Sequence, residues 1–504
     1  MIPLMSDDRP SLSRRELLQQ GAAAAAVGTL IGMEPANAFG QAPAVVTARR
    51  FRGWVTRGGG PGRTTLQELT LRPISGRQVV VRTEATNLCY SNVPAVLALP
   101  APAPPAGGAA PATGPGRGAA AGPGGRAGGA PPPGAGGRTG GPPAGAAGAP
   151  PAGRGGFGGP PRAIIQGHGG VGVVEAVGPQ VRRVQLGDRV CVSGTPQCGS
   201  CYQCLRGRAD MCQFLSDNNL VPIADLSDGA GVVANSHIGG LAELMVTTEE
   251  WVVPIFTKAS PAALGMVCSC VTVAGLGATT SPTLALVQPG SSVAVVGCGP
   301  LGLSAVIGAK IAGASTIIAI DPIRARRELA LKVGATQTLD PNVEGNNLVA
   351  RVRELTRFPN DRFWSGGRTS GGLLGGAGAD FVIEAAGADA VTPKLEAGPD
   401  PTGILPMRQA YEMTAPGGHI VTTSLPRGNI TLSGVLFSIG GRTHHAGQAG
   451  GAQPMRDIPR FVEMLDKGQF NAAALATTVI GLEGMLEAYE QVAYRTTVTA
   501  IMTP

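Results

Sequence analysis

The sequence predicts an α/β protein in two parts, a mostly β domain followed by a doubly wound parallel sheet. Two observations carry this. From Val45 to about Cys270, short Val-rich runs such as Val79-Val80-Val81-Arg82 and Gly172-Val173-Val174-Glu175-Ala176-Val177 are punctuated by Gly and Pro, the pattern of short strands joined by turns. From Ser291 to about Ser424, apolar strand runs alternate with helical stretches instead. The expected boundaries are 45–270 for the first domain, 271–434 for the second, and 435–504 for a tail that returns to the first. A chain of 504 residues is long enough for two sizeable cores.

Composition narrows the function classes. The formal charge of +7 has a local source, because residues 101–162 hold Arg117, Arg126, Arg138, Arg154 and Arg162 and no Asp, Glu or Lys. No basic stripe with interleaved aromatics runs through the rest, so nucleic acid is not expected as a partner. The same segment is almost wholly Gly, Ala, Pro and Arg, with Phe157 its one aromatic, and is expected to be a disordered insertion because it has too little apolar surface to offset backbone ordering. A second glycine-rich insertion, Ser365 to Gly378, is expected as a surface loop. After the N-terminal segment no apolar run is long and uninterrupted enough for a stable membrane span.

Residues 1–38 are expected to be removed. Ser13-Arg14-Arg15-Glu16-Leu17-Leu18 leads into a mild apolar stretch from Gly21 to Met33 and then Ala36-Asn37-Ala38, which resembles a twin-arginine translocation signal cleaved after Ala38. That route exports folded proteins to the periplasm or beyond, which suits a chain that loads its cofactors first.

The most specific local feature is Cys198-Gly199-Ser200-Cys201-Tyr202-Gln203-Cys204, followed after seven residues by Cys212. Four such thiolates can enclose one tetrahedral zinc. Two disulfides are the competing reading in an exported protein, but bridges between thiols this closely spaced are strained. Cys89, Cys191, Cys268, Cys270 and Cys298 are scattered and do not form a disulfide framework.

Ser291-Ser292-Val293-Ala294-Val295-Val296 runs straight into Gly297-Cys298-Gly299-Pro300-Leu301-Gly302 and the helical stretch Leu303 to Ala312. Strand, glycine turn and helix in that order form a dinucleotide fingerprint. Gly297 permits the tight turn, Gly299 lets backbone approach a pyrophosphate, and Gly302 allows close packing of helix on strand; Leu301 lies on the same cofactor-facing turn. Asp321, ending the run Thr316-Ile317-Ile318-Ala319-Ile320, is placed to accept hydrogen bonds from a ribose and to repel a 2′-phosphate, so NAD is the expected cofactor. Arg326 is expected against the same ribose, with Arg324 and Arg327 nearby.

The spacing C-x2-C-x2-C-x7-C resembles the structural-zinc lobe, here 198–212, of zinc-dependent medium-chain alcohol dehydrogenases. The resemblance covers nearly all of residues 45–504 outside the insertions. It implies a GroES-like catalytic domain, a Rossmann coenzyme domain, and a second, catalytic zinc. In that family the reactive zinc takes a cysteine from a C-x-[ST]-[DN] turn, here Cys89-Tyr90-Ser91-Asn92, and a histidine from G-H-E, here Gly167-His168-Gly169. The third ligand precedes the coenzyme domain, and counting back from Gly275-Leu276-Gly277-Ala278 gives Cys270, with Cys268 as runner-up. Ser91 is then the expected proton relay. Three protein ligands leave the fourth position open to substrate.

The sequence departs from the family pattern at Gly169 and Asn92, where carboxylates are usual. Each missing charge removes on the order of 3 kcal/mol of interaction with a charge about 5 Å away at an effective dielectric of 20. Pro94 stands where many relatives carry a histidine that passes the proton onward. The segment from Gly387 to Ala415-Pro416-Gly417-Gly418, and His444-His445-Ala446-Gly447-Gln448, resemble the formaldehyde dehydrogenase and dismutase branch. His444 and His445 are expected as a polar pair on a surface loop, with the active-site wall as the alternative.

These readings imply an exported oxidoreductase that moves a hydride between NAD and a small alcohol or aldehyde, with two zincs per chain, assembled as a homo-oligomer. The alternatives are an aldehyde dismutase that never releases NAD, and a zinc- and nucleotide-binding protein without catalysis.

Overall fold

The Val-rich runs of the first half become short strands because their branched side chains are buried on both faces, Val80 in one core and Val79 and Val81 in another. The computed structural model describes residues 49–58, 63–97, 163–216, 220–357 and 377–504. The expected export signal, the 101–162 insertion and nearly all of the 365–378 insertion lie outside the described residues. The first-half strands are β1 (Arg50–Thr56), β2 (Thr64–Leu71), β3 (Gln78–Asn87), β4 (Ala163–Ile165), β5 (Gly170–Val177), β6 (Arg189–Val192), β7 (Ala224–Asp225), β8 (Gly231–Ala234), β9 (Leu244–Thr248) and β10 (Val252–Pro254). The second half gives β11 (Ser292–Val296), β12 (Thr316–Ile320), β13 (Gln337–Leu339), β14 (Ala379–Glu384), β15 (Thr414–Thr422) and β16 (Thr443–Ala446). Two strands close the chain, β17 (Thr478–Ile480) and β18 (Ala500–Met502).

Among these, β1-β2-β7-β8-β4 close into a barrel, and a second sheet runs β10-β6-β5-β3-β18-β17 with β9 also on β3. The third sheet, β13-β12-β11-β14-β15-β16, is parallel throughout. Its central strand β11 is buried at every position. Val293 and Val295 enter one core while Ala294 and Val296 enter another, so both faces are covered, as the side-chain alternation of a strand requires. The α/β architecture with a doubly wound sheet is thus as the sequence predicts.

Two helices join the sheets. Helix α1 (Pro261–Val267) starts at Ser260, whose side chain accepts from the Ala263 N–H, and α2 (Cys270–Thr280) starts at Ser269, which accepts from the Thr272 N–H. After Cys270 every residue of α2 is buried. The apolar core runs without a break from Cys89 and Leu264 through Leu276 to Val295 and Leu303, so the N-terminus of α2 sits where the two halves meet. No single helix among the described residues is long and apolar enough to cross a membrane.

The parallel sheet extends further along the chain than the sequence suggests. Residues 443–446, expected within the returning tail, pair with β15 from His419 opposite Thr443 to Thr422 opposite Ala446. His444 and His445 therefore lie on an edge strand rather than a loop: the Thr422 hydroxyl is 2.7 Å from His444 Nε2, and His419 Nδ1 is 3.0 Å from His445 Nε2. The tail returns afterwards, through a helix at Pro454–Asp466 and another at Met485–Ala493, to β17 and β18. Ile501 of β18 pairs opposite Asn87 of β3, which ties the C-terminus to the strand that leads into Cys89.

Candidate metal centres and cofactor site

The thiols of Cys198, Cys201, Cys204 and Cys212 lie within 4.8 Å of one another. Cys198 Sγ is 3.9 Å from Cys204 Sγ, and Cys201 Sγ is 3.9 Å from Cys212 Sγ. Four sulfurs bound to one tetrahedral zinc at about 2.3 Å would stand about 3.8 Å apart. All nine cysteines are free thiols, so the disulfide reading has no support. Backbone N–H groups point at the sulfurs, from Cys201 to Cys198 at 3.3 Å and from Cys204 and Gln213 to Cys201, both at 3.5 Å. Burial opposes ionisation of Cys201, but those N–H donors outweigh it and bring its thiol down to about 6. Burial pushes Cys204 and Cys212 upward. Without a cation the four share protons; a zinc ion lets all four ionise.

The second group comes from three separate elements. Cys89 follows β3 and opens the turn Tyr90–Asn92, His168 lies between β4 and β5 just before Gly170, and Cys270 is the first residue of α2. Their ligand atoms also lie within 4.8 Å of one another. Cys270 Sγ is 3.1 Å from His168 Nε2 and 3.4 Å from Cys89 Sγ. The hydrogen bond from the Cys270 thiol holds Cys89 well below the usual thiol range despite burial, and the same pairing pushes Cys270 well above it. Two cysteine sulfurs beside an imidazole form a donor set for zinc, and the 3.1 and 3.4 Å separations fall within about half an ångström of its tetrahedral edges of roughly 3.5–3.8 Å. Cys268, the runner-up, turns elsewhere and shares a hydrogen bond with Cys191. Ser91 is exposed, with its hydroxyl 3.2 Å from Cys89 Sγ.

The cavity at this group is lined by Asn87, Cys89, His168, Gly169, Ser269 and Cys270. Neither His444 nor His445 lines it. Gly169 contributes only backbone, its carbonyl accepting from the Thr86 hydroxyl at 2.6 Å. Asn92 is buried, its Nδ2 3.4 Å from Gln166 Oε1 and its Oδ1 without a partner. Sequence reasoning missed Asn87 and Tyr489. The Tyr489 phenol is fully buried without a hydrogen-bond partner, and burial, then the charges at Cys89 and Cys270, push it well above its usual range. Such long-range neighbours leave no signal in local spacing.

At the glycine motif, Gly297 has φ +90°, and a Cβ on Gly302 would meet the Gly297 carbonyl oxygen at 1.8 Å. Only glycine fits either place. The helix that follows, α3 (Pro300–Ile311), has Gly299 as its N-cap with no side-chain cap, and Leu301 in its first turn, so its first N–H groups stay available to phosphate. A Cβ on Gly299 would have only Arg326 Nη1, 3.8 Å away, within reach, leaving room for a ligand to approach the backbone. Asp321 braces the loop: its carboxylate accepts from the Cys298 N–H at 2.7 Å and the Ile323 N–H at 2.8 Å. The motif thus fits a dinucleotide. Arg326 is buried, 4.0 Å from Asp321 and beside Gly299, with its pKa lowered chiefly by burial. Arg327 donates to the Asp321 and Pro322 carbonyls and pairs with Asp340.

A further cluster, not foreseen in the sequence, links this half to the Cys89 turn. Tyr90 Oη accepts from the Ala390 N–H at 2.9 Å, the Arg495 guanidinium lies 5.4 Å above the Tyr90 ring, and Arg495 pairs with Asp389. Arg427 donates to the Asp389 carbonyl.

Comparison with known proteins agrees with this geometry. Residues 151–257 match the alcohol dehydrogenase GroES-like domain, and residues 300–398 match the zinc-binding dehydrogenase family. The geraniol dehydrogenase of Castellaniella defragrans is 31% identical over 325 residues, 62% of this chain and 76% of that protein. Alcohol dehydrogenase B of Mycobacterium tuberculosis is 29% identical over 338 residues, 65% of this chain and 80% of that protein. Among solved structures, the benzyl alcohol dehydrogenase of Acinetobacter calcoaceticus superposes with a TM-score of 0.63 at 22% identity, covering 90% of this chain and 99% of that one. Two thiol-rich clusters that could each hold a metal, a glycine loop that fits a dinucleotide and these relatives lead to one conclusion: the chain belongs to the zinc-dependent, NAD(P)-using medium-chain alcohol dehydrogenases.

Proposed function

We propose that this chain oxidises a small alcohol or aldehyde with NAD, using Cys89, His168 and Cys270 to hold the reactive zinc and the cage at Cys198, Cys201, Cys204 and Cys212 to hold a structural one. The observation that carries the reading is the convergence of Cys89, His168 and Cys270 within 4.8 Å from three separate elements. When bound, zinc supplies Lewis acidity to the substrate oxygen and NAD accepts the hydride. The two thiolates and the imidazole fix where that oxygen lies. Ser91, beside Cys89 and exposed, takes the substrate proton and hands it to water, since Pro94 offers no onward acceptor. Gly297, Gly299, Leu301 and Gly302 seat the pyrophosphate, and Asp321 favours NAD over NADP through its charge. Zinc analysis, with NAD reduction followed on a panel of alcohols and aldehydes, tests the reading: a chain with one zinc that turns over none of them contradicts it.

The reading extends to the formaldehyde dehydrogenase and dismutase branch, with export by the twin-arginine route and NAD bound before transit and kept through turnover. The residues between β14 and β15 that meet Tyr90 and Arg495 support a cofactor held under a fastened segment. Protein purified without added nucleotide then yields NAD on denaturation; an empty supernatant contradicts retention. Homo-oligomer assembly is part of the same reading. The exposed edge strand β16 and the exposed Val435, Phe437 and Ile439 support it, and light scattering on Phe437→Asp, expected to give smaller particles, tests it.

A further inference from the structure

Six residues bound the cavity at the second metal centre, and three of them form the metal-ligating set. Of the other three, Gly169 brings no side chain. The Ser269 hydroxyl is spent, donating to the Met266 carbonyl at 2.6 Å and accepting from the Thr272 N–H at 3.2 Å. Asn87 differs. It ends β3 and is only 8% exposed; its Nδ2 donates to the Thr499 hydroxyl at 2.8 Å, and its Oδ1 is buried with no partner. Thr499 immediately precedes β18, whose Ile501 lies opposite Asn87, so the C-terminal strand pins the amide. A buried carbonyl oxygen left without a donor is costly, and among the buried, unpartnered oxygens of the described residues Asn87 Oδ1 is the one whose residue lines this cavity, where a ligand can bring the missing donor.

The ligand's chemistry decides which donor that is. An alcohol whose oxygen lies among Cys89, His168 and Cys270 has no second hydroxyl. A hydrated aldehyde, R–CH(OH)2, has one on the same carbon. On the basis of the function proposed above, we propose that Asn87 is a specificity-determining residue whose Oδ1 accepts a hydrogen bond from the second hydroxyl of a hydrated aldehyde, turning the site toward aldehyde oxidation. The step is R–CH(OH)2 + NAD+ → R–COOH + NADH + H+. The C–H bond breaks and its electron pair leaves as hydride for the nicotinamide. One hydroxyl loses its proton and its oxygen becomes the carbonyl of the acid, while the hydroxyl held by Asn87 keeps its C–O bond. The carbon is oxidised by two electrons and NAD is reduced by two.

The test uses the zinc- and NAD-loaded full chain, with Asn87→Ala and with Asn87→Asp, which keeps an acceptor in place. Hexafluoroacetone hydrate is a geminal diol with no hydride to give, and hexafluoroisopropanol has the same skeleton with one hydroxyl. Calorimetric titration of the NAD complex gives the ratio of their dissociation constants. Asn87→Ala is expected to reduce the preference for the diol about 10-fold, and to lower kcat/KM for aldehyde oxidation about 10-fold more than for alcohol oxidation. Asn87→Asp is expected to retain most of both preferences. Unchanged ratios in Asn87→Ala overturn the proposal, as does a loss confined to NAD affinity, which would give the oxygen to the cofactor's carboxamide instead. Failure of the broader reading is separate: the wild-type chain would then oxidise neither alcohols nor aldehydes, and the binding ratio would still report on Asn87.

Discussion

The four-cysteine cage is assembled from residues 198–212 alone, whereas Cys89 and Cys270, 181 positions apart in sequence, meet only because β3 and α2 are packed into one core. The cage thiols are mostly half-exposed and are held by N–H groups of their own loop. The second centre has Cys89 buried and depends on the whole architecture for its geometry. A centre of the first kind stabilises its own segment. A centre of the second kind borrows a finished fold, and its three ligands would leave the fourth position of a tetrahedral zinc open.

Mutations at the two centres should therefore separate stability from activity. The largest effect is expected for Cys89→Ala, which should lower turnover by about 1000-fold or more, since metal polarisation supplies several kcal/mol to the transition state, while the melting temperature stays close to wild type. Thermal melts beside steady-state assays check this; full activity in Cys89→Ala breaks the comparison. Next is Cys201→Ser, which removes a cage ligand. Structural zinc contributes on the order of 10 kcal/mol of apparent binding free energy, so the loss should appear as a lower melting temperature and as release of one zinc to a chelator. A variant as stable as wild type would show that the cage is not a structural element.

Smaller changes sharpen the contrast. Asn92→Asp places a carboxylate where the buried amide oxygen has no partner, and should tighten zinc at the second centre about 10-fold while leaving the cage unaffected. Competition with a graded series of chelators reads both affinities. Tyr90→Phe removes the 2.9 Å hydrogen bond from Ala390, a loss of about 1 kcal/mol, and should speed NAD release about 5-fold with little change in melting temperature. Stopped-flow displacement of the cofactor measures it, and an unchanged rate would mean that the Tyr90 contact does not hold the segment over the nucleotide.

The same contrast explains what was legible in the sequence. Cys198 to Cys212 and Gly297 to Gly302 are local: spacing alone sets the thiol cluster, and the clash of any Cβ at Gly302 with the Gly297 carbonyl is a property of one turn. The grouping of Cys270 rather than Cys268 with His168 was reached only through a family resemblance, because the first turn of α2 and not the spacing decides which thiol faces the site. Asn87 and Tyr489 were invisible, since their roles come from Thr499 and from packing against the C-terminal return. Arg326 is legible from its place five residues after Asp321, and it lies 4.0 Å from that carboxylate and beside Gly299; its burial, which comes from tertiary packing, is not legible. β16 was assigned to the wrong unit because its four residues, two of them histidine, carry no apolar strand signal.

The central claim is that Cys89, His168 and Cys270 hold a second zinc, distinct from the cage. Zinc per chain, measured on wild type, Cys270→Ala and Cys268→Ala purified in parallel, tests it most directly. The expected values are about two, one and two. Two zincs in Cys270→Ala, or one in Cys268→Ala, would contradict it.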